Sequence, residues 1–496
     1  MRIARSMIFN QSLKGMNGAM SDIIRLNEQQ ASQKRINRPS DDPGGMARVM
    51  DLQDHLNMLS QYDENISTAT GWLDTANEQY NTISTTIARI QELASQGSTG
   101  TVSAQQRNII ATELRELQEQ LIGLTSGQYA GNSIFGGSAV DRPAYIEGLG
   151  ATVKNADQSL VRSVTGSTAK SIAIEFDPSP DPLGISDQTY RYSTDGGETW
   201  TSATLLANGG ADATLNIAGA QINLKGNTPL NATEKVTMIV RPAAIYNGSI
   251  NGEANVAYYG GGAGIAPTMQ GTFSDPVAVR IDSMPVMPAT DVGYSYSLDN
   301  GVTWIKAEST DSDVLAVPGG QIVLNGPRAN LAVGEQFLVE PVDASIEIEI
   351  SPYTNVQVNS VGSDIFGGIY IDKTTGDAAP VSGLSPEKNM FEVVGELIGF
   401  LEMNDQDGVK ECLENLNKAN EHITTEAGIL GGRQTRLQFS KDAHGKSQVA
   451  TEGRISAIQD VDIAKITTDS ARAQYIYEAV LTTSSKVMNM SLLKYL

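Results

Sequence analysis

Two stretches of this sequence concentrate the polar side chains best suited to specific work. Tyr192-Ser-Thr-Asp-Gly-Gly-Glu-Thr-Trp200 recurs as Tyr296-Ser-Leu-Asp-Asn-Gly-Val-Thr-Trp304. In each, a carboxylate, a glycine and a tryptophan fall at fixed spacing: Asp195, Gly197 and Trp200, then Asp299, Gly301 and Trp304. An aspartate there can accept the amides of a tight turn, the glycine can take a positive φ, and the indole can cover the turn. The chemistry predicted is local: a hydrogen-bonded staple closing a β-hairpin. Other candidates are weaker. Asp460 and Asp462 lie two apart, a spacing that does not share a helix face, so capping is the better reading. Gly136-Gly137 and Gly431-Gly432, read as loops, lack the Lys-Ser/Thr context of a phosphate cradle. His55, His422 and His444 are too dispersed to form a ligand pair, and Cys412 sits beside an apolar helical stripe, where packing outweighs reactivity. The reading expects no catalytic residues, no cofactor and no metal, so not an enzyme.

The Ser-x-Asp-x-Gly-x-Thr-Trp pattern is similar to the Asp-box of sialidase propellers. A propeller needs at least four blades, and two copies stand here. A surface that contacts glycans is the alternative use. The bulk charge is informative as well. A formal net charge of −22 over 496 residues argues against nucleic acid as a partner, since phosphate contact needs a basic face, and against an anionic membrane surface. No 18-residue apolar run exists, and Asn10, Gln11, Ser12 and Lys14 interrupt any signal-like apolar stretch, so no cleaved secretory signal is expected.

The elements that must position these residues differ between the ends and the middle. Leu59, Tyr62, Ile66, Ala69, Leu73, Ala76, Tyr80, Ile83, Ile87, Ile90 and Ala94 alternate steps of three and four, one apolar seam over five heptads. Near the other end the same spacing joins Val409, Leu413, Leu416, Asn420, Ile423, Ala427 and Leu430. It returns in Ala473, Ile476, Val480, Thr483, Val487 and Met490. Seams that long need partner helices, because a lone helix lacks the burial of about 1.5–3 kcal/mol per Leu or Ile. Between 140 and 384 the apolar period falls to two, as in Ser171-Ile-Ala-Ile-Glu-Phe176. The motif repeat, with Gln221-Ile-Asn-Leu224 matching Gln321-Ile-Val-Leu324, marks two related β modules.

The expected fold is therefore α+β and multidomain. Long antiparallel, coiled-coil-like helices from both termini form a rod, and two related β-rich modules project from it. Its segments are 1–40 (mobile amino-terminal helix), 41–137 (rod helices), 138–167 (connector), 168–242 (first module) and 243–269 (glycine-rich linker). There follow 270–345 (second module), 346–384 (return strands), 385–455 (rod helices) and 456–496 (assembly helix). The seam predicted to carry assembly consists of Leu59, Ile66, Leu73, Tyr80, Ile87, Leu413, Leu416, Ile423, Ile476, Val480, Val487 and Met490.

Met1-Arg-Ile3 and Lys34-Arg-Ile-Asn-Arg-Pro-Ser-Asp-Asp-Pro43 resemble the amino-terminal signature of the flagellin family, and Arg89-Ile-Gln-Glu-Leu-Ala94 continues it. Gly431-Gly-Arg-Gln-Thr-Arg-Leu437 is similar to a carboxy-terminal run of that family, with Thr435 where asparagine is usual. Ser456-Ala-Ile-Gln-Asp-Val-Asp-Ile-Ala464 matches a second such run. Pro39-Ser-Asp-Asp-Pro43 and the ending Ser491-Leu-Leu-Lys-Tyr-Leu496 resemble junction-type members more than filament-forming ones. The resemblance implies a structural subunit of the bacterial flagellum at the hook–filament junction. It would be exported by the flagellar type III system and would be extracellular. The implied partners are further copies of the chain in a ring, an adjacent hook-associated protein, flagellin and an export chaperone. A filament-forming flagellin and an exported glycan-binding protein remain the alternatives.

Overall fold

The computed structural model describes residues 2–251, 254–261, 264–271, 273–284, 291–307, 309–310, 312–326, 330–372, 376–381 and 384–492. Of these, residues 2–6, 8, 9, 270 and 487–492 are described as backbone alone. Val487 and Met490 of the predicted seam therefore lie outside the described side chains, and Gly262 of the expected linker lies outside the described residues.

Helices occupy both ends of the chain: α1 (Arg2–Ser32), α2 (Pro43–Gly97) and α3 (Ala104–Thr125), then α4 (Gly362–Phe366), α5 (Met390–Glu402), α6 (Gln406–Gln459) and α7 (Ile463–Leu492). Their boundaries follow local chemistry. At the start of α2, Asp42 accepts from Gly45 N at 2.9 Å, beside Pro43 in the first turn. Ser103 and Gln106 form a reciprocal capping box for α3. Asp462 takes the amides of Ala464 (2.9 Å) and Lys465 (3.1 Å) at the start of α7, while Asp460 pairs with Lys34 in an antiparallel bridge. Gly431 and Gly432 lie inside α6, not in a loop. Two glycines are tolerated there because the helix continues through many turns on either side.

The chain divides into two compact units. One comprises 1–67, 349–354 and 437–496; the other comprises 68–348 and 355–436. In the first, α1 packs along α7. The segment after α1 is tied down where Arg35 N donates to Gln459 O at 2.6 Å and Val461 N to Gln33 O at 3.0 Å. The two chain ends thus meet. In the second unit α2 and α6 run antiparallel: Gln91 Nε2 reaches Asn417 Oδ1 at 2.9 Å, and Gln434 Nε2 reaches Asp74 Oδ1 at 2.8 Å.

Sixteen strands of the second unit form two equivalent sandwiches. The first contains β1 (Tyr145–Lys154), β2 (Val161–Gly166), β3 (Ile172–Phe176), β4 (Gln188–Ser193), β5 (Thr201–Leu205), β6 (Ala213–Ile217), β7 (Ala220–Leu224) and β8 (Val236–Tyr246). The second contains β9 (Ala254–Tyr259), β10 (Thr268–Gly271), β11 (Val277–Ser283), β12 (Gly293–Ser297), β13 (Ile305–Lys306), β14 (Val314–Val317), β15 (Gly320–Val323) and β16 (Gln336–Pro341). The main sheets contain β1-β8-β3-β4-β5 and β9-β16-β11-β12-β13, the first extended by Ile369–Ile371, which pairs parallel with β8 and antiparallel with Ala378–Pro380, and the covering sheets run β2-β7-β6 and β10-β15-β14. Each strand corresponds to the one eight places later. The inward positions fill separate cores, one around Ile172, Ile174, Phe176, Ile222 and Met238, the other around Val277, Val279, Ile281, Ile322 and Phe337.

Both copies begin earlier than the motif repeat suggests. The stretch 138–167, expected to connect, supplies β1 and β2, and 243–269, expected to link, supplies β9 and the start of β10. Gly148, Gly150 and Ala151 give β1 little side-chain alternation to read. Its identity comes from pairing with β8 along its whole length.

Candidate functional site

The structure splits the predicted seam into a closed part and an open part. Leu59, Ile66, Leu73, Tyr80 and Ile87 of α2 are at most 5% exposed, and Leu416 and Ile423 of α6 are fully buried. These side chains meet partners inside their own chain. Tyr80, for instance, packs with Phe135 and Phe366 at ring separations of 5.7 and 5.8 Å. These side chains are covered within the chain itself, where close packing holds them in place. Leu413 is half-buried. On α7, Ile476 is 44% exposed and Val480 is half-buried. Tyr475 and Leu481 of the same helix are also exposed, as are Met20 and Ile24 of α1. Sequence reasoning could not separate the two parts because their spacing is identical.

The repeated hairpins bring their predicted residues together. In the β4–β5 turn, Asp195 Oδ1 accepts from Thr199 N at 2.9 Å and from Ser193 Oγ at 2.7 Å, and Thr199 Oγ1 donates to the other carboxylate oxygen. Ser193 Oγ in turn takes Gly197 N at 2.9 Å, and Trp200 Nε1 donates to Gly197 O at 3.1 Å. The β12–β13 turn repeats this, with Asp299 Oδ1 accepting from Thr303 N at 2.8 Å and Ser297 Oγ at 2.7 Å. Gly197 and Gly301 have φ of 88° and 87°, a region closed to most side chains. The threonine hydroxyl, its amide and the serine hydroxyl hold the Asp195 carboxyl well below the usual carboxylate range, and the same donors hold Asp299 at about 2.

A guanidinium covers each indole, a feature the motif does not spell out. Arg191 lies 4.4 Å from the Trp200 ring centre and Arg280 lies 4.3 Å from that of Trp304. The two arginines occupy different strands. Arg191 sits on β4 opposite Glu175 of β3, whereas Arg280 sits on β11 opposite Ser295 of β12. With Ala173 paired to Ser193 and Ala278 paired to Ser297, Arg280 holds the place of Glu175. The cation over the ring is kept while its strand of origin changes.

The first sandwich is also fastened to helices. Arg241 on β8, 1% exposed, donates to Glu392 of α5 at 2.7 Å and to Thr152 Oγ1 at 2.7 Å, with Glu396 3.8 Å away. Burial opposes the Arg241 charge, and the two carboxylates outweigh it; burial lifts the Glu396 carboxyl above its ordinary range. Arg115 of α3 grips Glu402 of α5 at 2.8 and 2.9 Å, and Ser171 N donates to the same carboxylate at 2.6 Å. Cys412 is buried, and that burial pushes its thiol up, away from the reactive thiolate.

Comparison with known proteins accounts for the ends. The model of the bacterial flagellin N-terminal helical region matches residues 3–139, and that of the C-terminal helical region matches residues 413–496. Flagellar hook-associated protein 3 of Escherichia coli is 28% identical over 160 residues, 32% of this chain and 50% of that protein. The protein of the same name from Salmonella typhimurium is 27% identical over 151 residues, 30% of this chain and 48% of that one. Flagellin D of Vibrio cholerae is 22% identical over 323 residues, covering 62% and 83%. The chain spans about half the length of the first two relatives. Among solved structures, Xanthomonas campestris FlgL aligns with a TM-score of 0.32 at 11% identity, covering 82% of this chain and 99% of that one. The flagellar junction protein FlgL of Legionella pneumophila aligns at 0.29 and 11%, covering 83% and 99%. The chain thus carries regions similar to both the amino-terminal and the carboxy-terminal helical regions of bacterial flagellin, and the helices at those two ends pack together.

Proposed function

We propose that this chain is a structural subunit of the bacterial flagellum that forms the hook–filament junction and assembles through its terminal helices. The observation that carries the reading is the α1–α7 pair. It joins the two flagellin regions, yet leaves Met20, Ile24, Tyr475, Ile476 and Leu481 uncovered. Apolar side chains left open on a paired-helix element suit burial against sister subunits. The role is mechanical, and no reaction is assigned to it. On this reading the chain leaves the cell through the flagellar type III apparatus and works outside it. It meets an adjacent hook-associated protein on one side and flagellin on the other, and an export chaperone covers its carboxy-terminal apolar face until then. Its terminal segments, about the first and last 40 residues, order fully only on assembly. Two similarities of name support the junction position, those to hook-associated protein 3 of two species.

Electron microscopy of a deletion strain tests the proposal. The expected result is hooks without filaments, with flagellin released into the medium; normal filaments on such cells overturn it. Seeding purified subunits on filament fragments separates the junction role from a filament-forming one, because long filaments made of this chain alone are the signature of the latter. Ile476→Asp addresses the surface itself. Monomer stability is expected to stay within about 0.5 kcal/mol, as for an exposed position, while complementation of motility fails.

A further inference from the structure

The outer edge of β1 has an arrangement that the flagellar role does not use. Among the described residues β1 pairs with β8 only, so its other edge carries no neighbouring strand. Backbone groups of alternate residues point outward along that edge. Two side chains plug its ends. Ser126 Oγ donates to Tyr145 O at 3.2 Å, while Gln158 donates to Ala151 O at 2.6 Å and accepts from Val153 N at 3.1 Å. By the same alternation, Glu147 and Leu149 present the outward groups in the gap.

A cavity of about 310 Å³ lies alongside this gap. Glu147, Gly148 and Leu149 of β1 line it, together with Pro242 and Ala243, the β8 residues paired with Leu149 and Gly148. Residues of helix α3 and of the stretch 166–168 also line it. Two of the residues that line it carry a buried polar atom with no hydrogen-bond partner among the described residues: Nε2 of Gln118, a residue 3% exposed, and Oγ1 of Thr168. A buried amide without a partner costs about 1–3 kcal/mol, so its place in the wall points to a ligand that accepts from it. Glu116, Glu119 and Glu147 line the same cavity and form no ion pair among the described residues, whereas the nearby Arg115 is neutralised by Glu402.

We propose that this groove binds an extended, basic peptide segment of a partner protein, which adds to β1 as a further strand. Its main chain would pair with Glu147 and Leu149, a carbonyl would accept from Gln118, and its lysine or arginine side chains would meet the three glutamates. The inference stands apart from the terminal helices and does not depend on the junction assignment.

Fluorescence anisotropy with the full-length protein tests it, using an end-blocked, labelled Lys-Val-Lys-Val-Lys peptide. Saturable binding is expected, with Glu-Val-Glu-Val-Glu weaker by at least about tenfold and an N-methylated copy of the basic peptide weaker by a similar factor. Gln118→Leu and the exposed Glu147→Lys are each expected to lose about tenfold. Glu147→Lys keeps the test open should the buried change perturb folding. Absence of binding up to about 1 mM overturns the proposal. So does equal affinity for the N-methylated peptide, which would make the site a simple cation trap, and so does unchanged binding by both variants.

Discussion

The two sandwiches share strand order, core pattern and hairpin staple, yet they stand in different surroundings. In the first copy the position before the last proline is Arg241, buried against Glu392 and Glu396 of α5. In the second copy the matching position before Pro341 is Glu340, which is exposed. The turn differs in the same sense. Gly196 in the first hairpin leaves no room for a side chain, because a Cβ there would lie 2.4 Å from the Glu402 carbonyl; its counterpart is Asn300. The difference teaches that the core and the staple define the module, while a few substitutions at its rim decide whether it is fastened to the helices.

Arg241→Ala probes the comparison hardest. It leaves the half-buried Glu392 and Glu396 without their cation, and a loss of about 3–5 kcal/mol is expected in denaturant unfolding. Glu340→Ala in the second copy is expected to stay within about 0.5 kcal/mol. Similar costs at the two sites would mean that the first copy is not fastened through this pair. A smaller effect is expected from exchanging the turn residues. Gly196→Asn forces either the hairpin or the α5 end to move and should cost about 1–3 kcal/mol, whereas Asn300→Gly removes a positive-φ residue from an open turn and should change stability by under about 1 kcal/mol.

Acid provides the mildest contrast. An aspartate whose carboxyl is depressed in the fold contributes stability that is full above its unfolded value of about 3.9 and is lost as pH falls through the folded value. For Asp299 that window runs from about 4 down to about 2, and for Asp195 it extends lower. Tryptophan fluorescence of an Asp299→Asn variant is expected to lose the change across the upper window and to keep the change below it. A variant that retains the whole profile would show that the second staple does not titrate as its hydrogen bonds require.

Much of this architecture is legible in the sequence. The heptads of α2 and α6 announce paired helices, since an apolar side chain every three or four residues has no use on an isolated helix. The spacing of Asp195, Gly197 and Trp200 contains its own turn geometry, because every partner lies within a few residues. What stayed hidden depends on distant partners. β1 and β9 have little alternation of their own and become strands by pairing with β8 and β16. The contact of Arg241 with Glu392 spans 151 residues, and nothing local marks either side chain for burial. The cation over Trp304 comes from a neighbouring strand, which no motif within the hairpin could reveal.

The sequence by itself determined the helical ends, the strand-rich middle, its twofold repetition and the closed hairpin turns, because these arise from periodicity and from contacts a few residues apart. Only the tertiary structure decided which apolar seam is sealed within the chain and which is left on α7, where the first repeat truly begins, and which edge of β1 stays open. Each of those outcomes is set by what one segment finds beside it after folding, and identical spacing at Ile87 and Ile476 leads to full burial in one case and exposure in the other.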